Sequence, residues 1–501
     1  MNTHRQLVQN LMARIPGSTL IETHISSVIL TDHYVYKLKK PVDFGFLDFS
    51  TLAKRKEYCE EEVRINGRFA PVLEYEVDTV GGTVEAPVLG GGPAIEYAVR
   101  MRRFVQSDQL DHVAAAGGLH EDLVEKIAVR VADLHDHAVP AEPETDFGTP
   151  ERVLLPVTEN FALLDRSLFP ETAWDKVKEI KEWSLERHGE LAEFFAGRKA
   201  AGKVRECHGD LHLHNITLVE EEVTPFDAIE FNPYFRWIDV ISDLSFLLMD
   251  LEYFGQKALA NRLLNRYLEL TGDYEALPAL GFYKTYRAMV RVKVTALRLG
   301  QEGVEEAEKA VLLDEIERYL DQALGYTRPS VNFVALMYGL SGAGKSYAAL
   351  FACGFSGGIR VRSDVERRRM FGAGAYAEEA TEATYRRLVE LAGIVSDAGY
   401  PVFVDATFLK RRQRELFAGF AKRYILECRC DEAVALARIA RREAEGKDPS
   451  EADREVYFLQ KASLEPLGDE GNAVCVVINC NDDESMRMDL GVFIDHDSEA
   501  W

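Results

Sequence analysis

The chain has 501 residues, more than one hydrophobic core holds and enough for two or three domains. Apolar residues make up 47% and charged residues 28%, a globular balance, but 59 basic against 83 acidic side chains give a formal charge of −24. That excess argues against broad sequence-independent binding to nucleic acid or anionic lipid, because phosphate contacts require Lys and Arg.

The seven cysteines are scattered, with no CxxC pair, which argues against a zinc ribbon and fits a reducing compartment. The opening "MNTHRQLVQNLMARIPG" lacks the apolar core of a secretion signal, and no apolar run approaches a membrane span. The expectation is a cytoplasmic protein with no membrane partner.

Residues 20–100 read as strands interrupted by one helix. "SSVILTD" and "HYVYKLKKPV" alternate, and "FSTLAKRKEYCEEEVRINGRF" reads as a helix capped by Ser50 or Thr51. "TVEAPVLGGGPAIEYAVRMRRF" returns to strands around a glycine turn. From about 119 to 206 the pattern is helical, a mixed segment spans 207–232, and helices resume over 240–324. "GYTRPS" reads as a linker after the polar helix 303–324. Beyond it "VNFVALMYG", "PVFVDATF" and "RYILECR" are apolar strands separated by helical stretches, the texture of a parallel α/β sheet. The last 15 or so residues are acidic and read as a frayed end. The division is therefore 1–325 (a strand-rich part to about 103, a helical part from 104), a linker at 326–330, and 331–501.

"GLSGAGKS", 339–346, fits GxxxxGK[ST] and lies between a strand and a helix, as that motif requires. Gly339, Gly342 and Gly344 let backbone N–H groups curl around phosphate at a helix N-terminus. Lys345 is expected on the β/γ-phosphates and Ser346 on Mg²⁺. Asp405, ending the strand of "YPVFVDAT", is the second candidate for the metal or its water. "IRVRSDVERRR" delivers Asp364 into a loop, placed to accept or orient the proton of an attacking hydroxyl. Arg438, Arg441 and Arg442 lie on one helix before a Gly/Pro-containing loop, as an arginine lid over the transferred phosphate would.

"HGDLHLHNI", 208–216, looks first like a metal site. His208, His212 and His214 are spaced by four and two, but Gly209 and Asn215 spoil the helix or strand that would make them converge. Asp210 and Asn215 make better sense. A carboxylate followed five residues later by an amide is the arrangement of a kinase catalytic loop, the Asp taking the acceptor's proton and the Asn an oxygen ligand of Mg²⁺. Asp227, with Glu230 nearby, follows as the further metal-binding acid. Upstream, Lys37 or Lys39 on one strand face is expected to pair with phosphate and with one of Glu60, Glu61 and Glu62. Glu62 is preferred, because it shares a helix stripe with Ile65 and Phe69. Cys207 is expected to be a small buried hydrophobe, and His135 and His137 packing or surface residues.

"HGDLHLHN", "FDAIEF" and "DLSF" together resemble the aminoglycoside phosphotransferase and choline-kinase-like family over roughly 20–320. "GLSGAGKS", "RSDVERRR" and "VDATF" resemble the small P-loop kinases of the gluconate-kinase, zeta-toxin and polynucleotide-kinase type over about 331–465. The pairing resembles the group labelled bifunctional aminoglycoside phosphotransferase/ATP-binding protein, a label taken here as a statement of fold. The resemblance implies two domains of α+β and α/β class: an N-terminal bilobal protein-kinase-like fold and a C-terminal P-loop NTPase sheet. It also implies a structural His208, a catalytic Asp210, metal ligands Asn215 and Asp227, and Asp243 bracing the catalytic loop. Adenine is expected near Met101 to Arg103. The implied chemistry is transfer of the γ-phosphate of ATP, or GTP, with Mg²⁺, to a small-molecule hydroxyl. Two alternatives differ in class. One is a nucleic-acid or nucleotide 5′-hydroxyl kinase, which the arginines at 367–369, 411, 412 and 414 keep open. The other makes one domain a nucleotide-sensing regulator of its neighbour.

Overall fold

The alternating residues of 26–39 form two neighbouring strands of a six-stranded antiparallel sheet. Its strands are β1 (Thr19–Glu22), β2 (Ser26–Leu30), β3 (Tyr34–Lys39), β4 (Glu76–Gly82), β5 (Pro87–Leu89) and β6 (Glu96–Arg102), in the order β1-β2-β3-β6-β4-β5. This arrangement comes from a computed structural model, which describes residues 2–45, 47–301, 303–328, 332–372, 374, 377–445 and 452–498. Period-two alternation splits β3 between two faces. Leu38 joins Leu7, Val8, Leu11, Ile29, Val80 and Ala98 in a core on one side. The helix Asn2–Met12 that supplies three of these residues has no counterpart in the sequence reading. Lys37 and Lys39 point to the other side, toward the helix Leu52–Phe69, whose Glu62, Ile65 and Phe69 are all buried. Thr51 caps that helix, its hydroxyl accepting from the Lys54 N–H at 3.3 Å.

The helical part carries two short antiparallel pairs. β7 (Val204–Glu206) pairs with β10 (Trp237–Asp239), and β8 (Ile216–Val219) with β9 (Glu222–Pro225). Residues 207–215 run between β7 and β8. The helix Val240–Tyr253 is buried at every residue from Val240 to Leu251, its polar Asp243 and Asp250 included.

The second sheet is parallel: β11 (Val334–Tyr338), β12 (Ile359–Arg362), β13 (Val402–Asp405), β14 (Arg423–Arg429) and β15 (Val474–Asn479), in the order β12-β13-β11-β14-β15. The connections from β11 leave in both directions, which makes its C-terminal end a topological switch point, where ligands bind in such sheets. "GLSGAGKS" sits there, between β11 and the helix Lys345–Ser356. Ala348, Ala349 and Ala352 of that helix pack on Ala335, Met337 and Phe403 of the sheet.

The chain divides into two compact units, and the division is not the sequential one expected. The first is Met1–Phe254 with Phe282–Ala323; the second is Gly255–Gly281 with Leu324–Trp501. The helix Lys257–Thr271, assigned by the sequence reading to 1–325, packs in the second unit against the helix Lys345–Ser356 and β12. The reason is polar as well as apolar. β12 is an edge strand, and edge strands need cover. Asn261 and Asn265 donate to the Gly358 carbonyl at 3.0 and 3.1 Å, and the Asn265 amide oxygen accepts from the Arg360 N–H at 2.6 Å.

Three further expectations shift. The helix Glu306–Thr327 runs into the stretch read as a linker, whose residues 329 and 330 lie outside the described residues. Asp364 stands in the first turn of the helix Ser363–Phe371, not in a loop. The end read as frayed forms the helix Asp483–Ser498. Among the described residues no helix is long and apolar enough to cross a membrane.

Candidate functional sites

The first site gathers around β3. Lys37 Nζ stands 3.0 Å from Glu62 Oε1 and 2.5 Å from Asp227 Oδ1. Lys39 Nζ donates to Glu62 Oε2 at 2.6 Å and to Glu230 Oε1. The open choice between Lys37 and Lys39 thus resolves into both, one on each oxygen of Glu62. Their surroundings differ. Lys39 is fully buried, whereas Lys37 meets Asp227, whose side chain is 46% exposed. Burial alone would raise the Glu62 carboxyl, but the two ammonium groups outweigh it and hold it at about 2. Burial pulls the Lys37 ammonium down, and Asp227 and Glu62 more than restore it, leaving it well above the usual range. Glu230, expected as a metal ligand beside Asp227, is buried and turned to Lys39, so it belongs to the structural half of this network.

Asp227 adopts φ +59°, a left-handed conformation costing a non-glycine residue roughly 1–2 kcal/mol, least for Asp and Asn. Such strain is typical of a residue whose side chain must be aimed. Neighbouring bonds hold it there: Asn66 Oδ1 accepts from the Ala228 N–H at 2.9 Å, and the Phe226 N–H donates to the Asn215 carbonyl at 2.9 Å.

The loop 207–215 is fixed from below. Asp243 is fully buried and accepts from the backbone N–H of His208 (3.0 Å) and Gly209 (2.9 Å). Arg287 Nη1 donates to the Gly209 carbonyl at 2.9 Å. Gly209 has φ +86°, and a Cβ there would come within 2.7 Å of the Phe235 carbonyl oxygen, so only glycine fits. His208 Nε2 donates to the Phe226 carbonyl at 2.9 Å, and burial pulls its imidazole down. His135, expected as a packing or surface residue, is buried with Nε2 3.3 Å from Asp243 Oδ2. Cys207 is buried, and its thiol is pushed up by burial. Among the described residues, His135, Cys207 and Asp243 form the one metal-ligand-like grouping, and Asp243 is spent on the loop N–H groups.

The loop presents Asp210 and Asn215 together. Asn215 Nδ2 donates to Asp210 Oδ2 at 2.9 Å and to the Asp210 carbonyl at 3.0 Å. Burial would raise the Asp210 carboxyl, but His212, His208 and Arg287 outweigh it and hold it far below the usual carboxylate range. His212, one of the three histidines that do not converge as metal ligands, lies 3.4 Å from both Asp210 Oδ2 and Asn215 Nδ2. Met101 ends its pairing opposite Val35 near the C-terminus of β6, in the apolar cluster with Phe226.

The second site is a cavity of about 930 Å³ lined by Gly342, Gly344, Lys345, Ser346, Asp364 and Asp405, among others. Gly339, Gly342 and Gly344 have φ of +149°, +77° and +93°, and Cβ atoms on the first two would stand 2.8 and 2.5 Å from the carbonyl oxygens of Cys428 and Ala435. Lys345 opens the following helix, its Nζ donating to the Leu340 carbonyl at 2.7 Å, with burial pulling its ammonium down. Asp405 ends β13 and faces Arg362 of β12, Nε to Oδ2 3.4 Å. Asp364 accepts from Arg367 Nη2.

The arginine helix spans Glu432–Glu445, and the Gly/Pro-containing loop beyond it lies outside the described residues. Arg442 Nη2 donates to the Ala452 carbonyl. Arg438 Nη1 is buried with no hydrogen-bond partner among the described residues, and it lies 3.2 Å from where a Cβ on Gly344 would stand. An orphaned buried guanidinium nitrogen beside a glycine cradle fits an anion. The carboxylate, hydroxyl and amide oxygens of both sites are the donors that hard divalent cations take.

Sequence reasoning missed Gln460, whose Oε1 accepts from the Ser341 N–H at 2.9 Å, and Glu269, which pairs with Arg360. No local motif announces either residue. The arginines read as a possible nucleic-acid patch are largely matched by acids. Arg411 pairs with Glu415 at 2.9 Å and Arg412 with Glu378 at 2.8 Å, and the buried Arg414 pairs with Glu470 at 2.8 Å.

Residues 334–467 match the family model described as an AAA domain. A Mycobacterium tuberculosis protein described as uncharacterized is 29% identical over 428 residues, covering 82% of this chain and 83% of its own. Among solved structures, an amicoumacin kinase in complex with AMP-PNP and Ca²⁺ is similar at 15% identity, covering 63% of this chain and 93% of that one, with a TM-score of 0.39. A sugar kinase from Janibacter sp. is similar at 20% identity over 33% of this chain and 95% of that one, with a TM-score of 0.28. The chain thus holds one unit built on a six-stranded antiparallel sheet and another built on a five-stranded parallel sheet, and the residues matched by the AAA-domain model lie in the second.

Proposed function

We propose that this protein is an ATP- and magnesium-dependent phosphotransferase with two nucleotide sites, each transferring a γ-phosphate to a hydroxyl of a small molecule, with GTP the alternative donor. The observation that carries the reading is the position of Lys37 between Glu62 and Asp227, beside a loop that presents Asp210 and Asn215 in one hydrogen-bonded pair. Residues from four separate stretches meet as phosphoryl transfer requires.

In the first site Lys37 is placed to bind the α/β-phosphates, with Glu62 holding its ammonium in place. Asp210 accepts the proton of the acceptor hydroxyl, and its low-lying carboxyl is ionised at neutral pH to do so. Asn215 spends its amide nitrogen on Asp210, which leaves the amide oxygen, with Asp227, for the cation. Adenine lies against the end of β6 near Met101. In the second site the N–H groups at Gly342 and Gly344, with Lys345 and Arg438, bind phosphate. Ser346 and Asp405 hold the cation, and Asp364 orients the acceptor. When bound, magnesium neutralises charge on the transferring phosphate at either site. Everything else is positioning and fixed charge.

Arg266, Arg362, Arg367, Arg438, Arg441 and Arg442 all line the second cavity. They favour an acceptor there that itself carries negative charge, which keeps a nucleotide among the candidates. A nucleic-acid acceptor is disfavoured by the overall charge of −24 and by the acid-matched surface arginines. The seven free cysteines support a cytoplasmic location.

The test is ATP turnover by the full chain over a panel of hydroxylated metabolites. Asp210→Asn should abolish transfer to one set of acceptors and Lys345→Ala to another. If both variants match wild type with every acceptor, the reading is wrong.

A further inference from the structure

The helix Lys257–Thr271 does more than cover an edge strand. Its Glu269 side chain is buried, 1% exposed, and meets both arginines of β12. Oε1 accepts from Arg360 Nε at 2.9 Å and Nη2 at 2.5 Å. Oε2 stands 3.8 Å from Arg362 Nη1 and 3.6 Å from Arg266 Nη1. The two β12 arginines continue to the phosphate end of the sheet. Arg360 Nη1 donates to the Ser346 carbonyl at 2.8 Å, and Arg362 Nε lies 3.4 Å from Asp405 Oδ2. Parallel pairing sets Arg362 directly beside Asp405.

Arg362 is therefore shared between two carboxylates, Glu269 on the helix and Asp405 on the neighbouring strand. A carboxylate fully engaged by a guanidinium is a poor cation ligand, because a charge-assisted bond in a low-dielectric site must be given up first. We propose that Glu269 is a positioning residue of the second site. Its charge draws Arg360 and Arg362 toward the helix and leaves Asp405 available to a divalent cation. This rests on the reading of Asp405 and Ser346 as the residues that hold that cation. The second site is then completed by a stretch of chain more than 60 residues before β11.

The experiment uses the full chain and a fluorescent ATP analogue, titrated with Mg²⁺. The signal of the second site is the part that Lys345→Ala removes. Glu269→Gln keeps the shape and deletes the charge. It should raise the Mg²⁺ midpoint roughly tenfold, or about 1.4 kcal/mol, without weakening nucleotide binding measured in EDTA. Arg362→Gln added to Glu269→Gln should return the midpoint toward wild type. Should Glu269→Gln not fold, Glu269→Asp carries the same test with a smaller rise, since it withdraws the charge by one methylene. An unchanged midpoint in the variant that folds overturns the proposal. So does an equal weakening with and without Mg²⁺, which is what a merely structural role produces. Asp405→Asn separates the two levels. If it leaves the midpoint unchanged, the cation reading falls and the proposal with it; if it raises the midpoint while Glu269→Gln does not, the proposal alone falls.

Discussion

Lys37 and Lys39 stand two residues apart on one face of β3 and close on the two oxygens of a single carboxylate, Glu62, at 3.0 and 2.6 Å. Their second partners separate their roles. Lys37 turns to the half-exposed Asp227, and Lys39 to the buried Glu230. Lys39→Met should lower the unfolding free energy of the first unit by about 3–5 kcal/mol, the cost of leaving a buried acid unpaired, and Glu230→Gln in the same chain should recover part of it. Lys37→Met should cost stability less and nucleotide affinity more. Urea unfolding and equilibrium ATP binding on both variants check the division.

The same network sets an acid limit. Against its burial, Lys37 and Lys39 hold the Glu62 carboxyl in the folded chain below its unfolded value of about 4.3. A carboxyl depressed by folding contributes stability that is complete above its unfolded value and lost as pH falls toward the folded one. That contribution is lost as pH falls below about 4.3, the ordinary value of an unfolded glutamate. Glu62→Gln should flatten this limb of the stability curve. Glu230→Gln should leave it in place, because burial pushes the Glu230 carboxyl up, not down.

The contact of His212 with Asp210 and Asn215 separates two variants of one loop. Asn215→Ala removes the amide oxygen proposed for the cation and should weaken Mg²⁺-dependent ATP binding at the first site. His212→Ala removes a neighbour 3.4 Å from each residue and should leave that binding largely intact, while lowering kcat by roughly three- to tenfold. Binding and turnover measured on the same preparations decide it. Equal losses of binding in the two variants would mean that His212 belongs to the nucleotide site.

The division of the chain predicts how it can be cut. A fragment of 331–501 lacks Asn261, Asn265 and Glu269, so Gly358 and Arg360 of the edge strand lose their hydrogen-bond partners and Arg360 is left without its acid. An edge strand with unpaired backbone is prone to association. The fragment should aggregate or melt well below the second unit of the full chain. A monomeric fragment melting at the full chain's temperature would mean that the helix Lys257–Thr271 is dispensable.

What could be read in the sequence was what is local. "GLSGAGKS" keeps its glycines, lysine and serine within eight residues, and "HGDLHLHN" keeps Asp210 and Asn215 within six. Glu62 was found because helical spacing put it on the stripe of Ile65 and Phe69, all three now buried. The limits were set by tertiary pairing. Spacing could not say that Lys37 and Lys39 share Glu62, nor that Glu230 turns to Lys39. Glu269 and Gln460 were invisible, because an acid on an amphipathic helix reads as surface until the partner strand is known. The domain boundary failed for the same reason: the helix Lys257–Thr271 has an ordinary apolar stripe, and nothing in it says which core it fills.

The central claim is that one chain holds two Mg²⁺-nucleotide sites. Its most direct test is the stoichiometry of a non-hydrolysable ATP analogue with Mg²⁺ on the full chain, measured by calorimetry or equilibrium dialysis. The account predicts two bound per wild-type chain, one in Lys345→Ala, one in Lys37→Met and none in the double variant. One nucleotide per wild-type chain, lost by either single substitution alone, would contradict it.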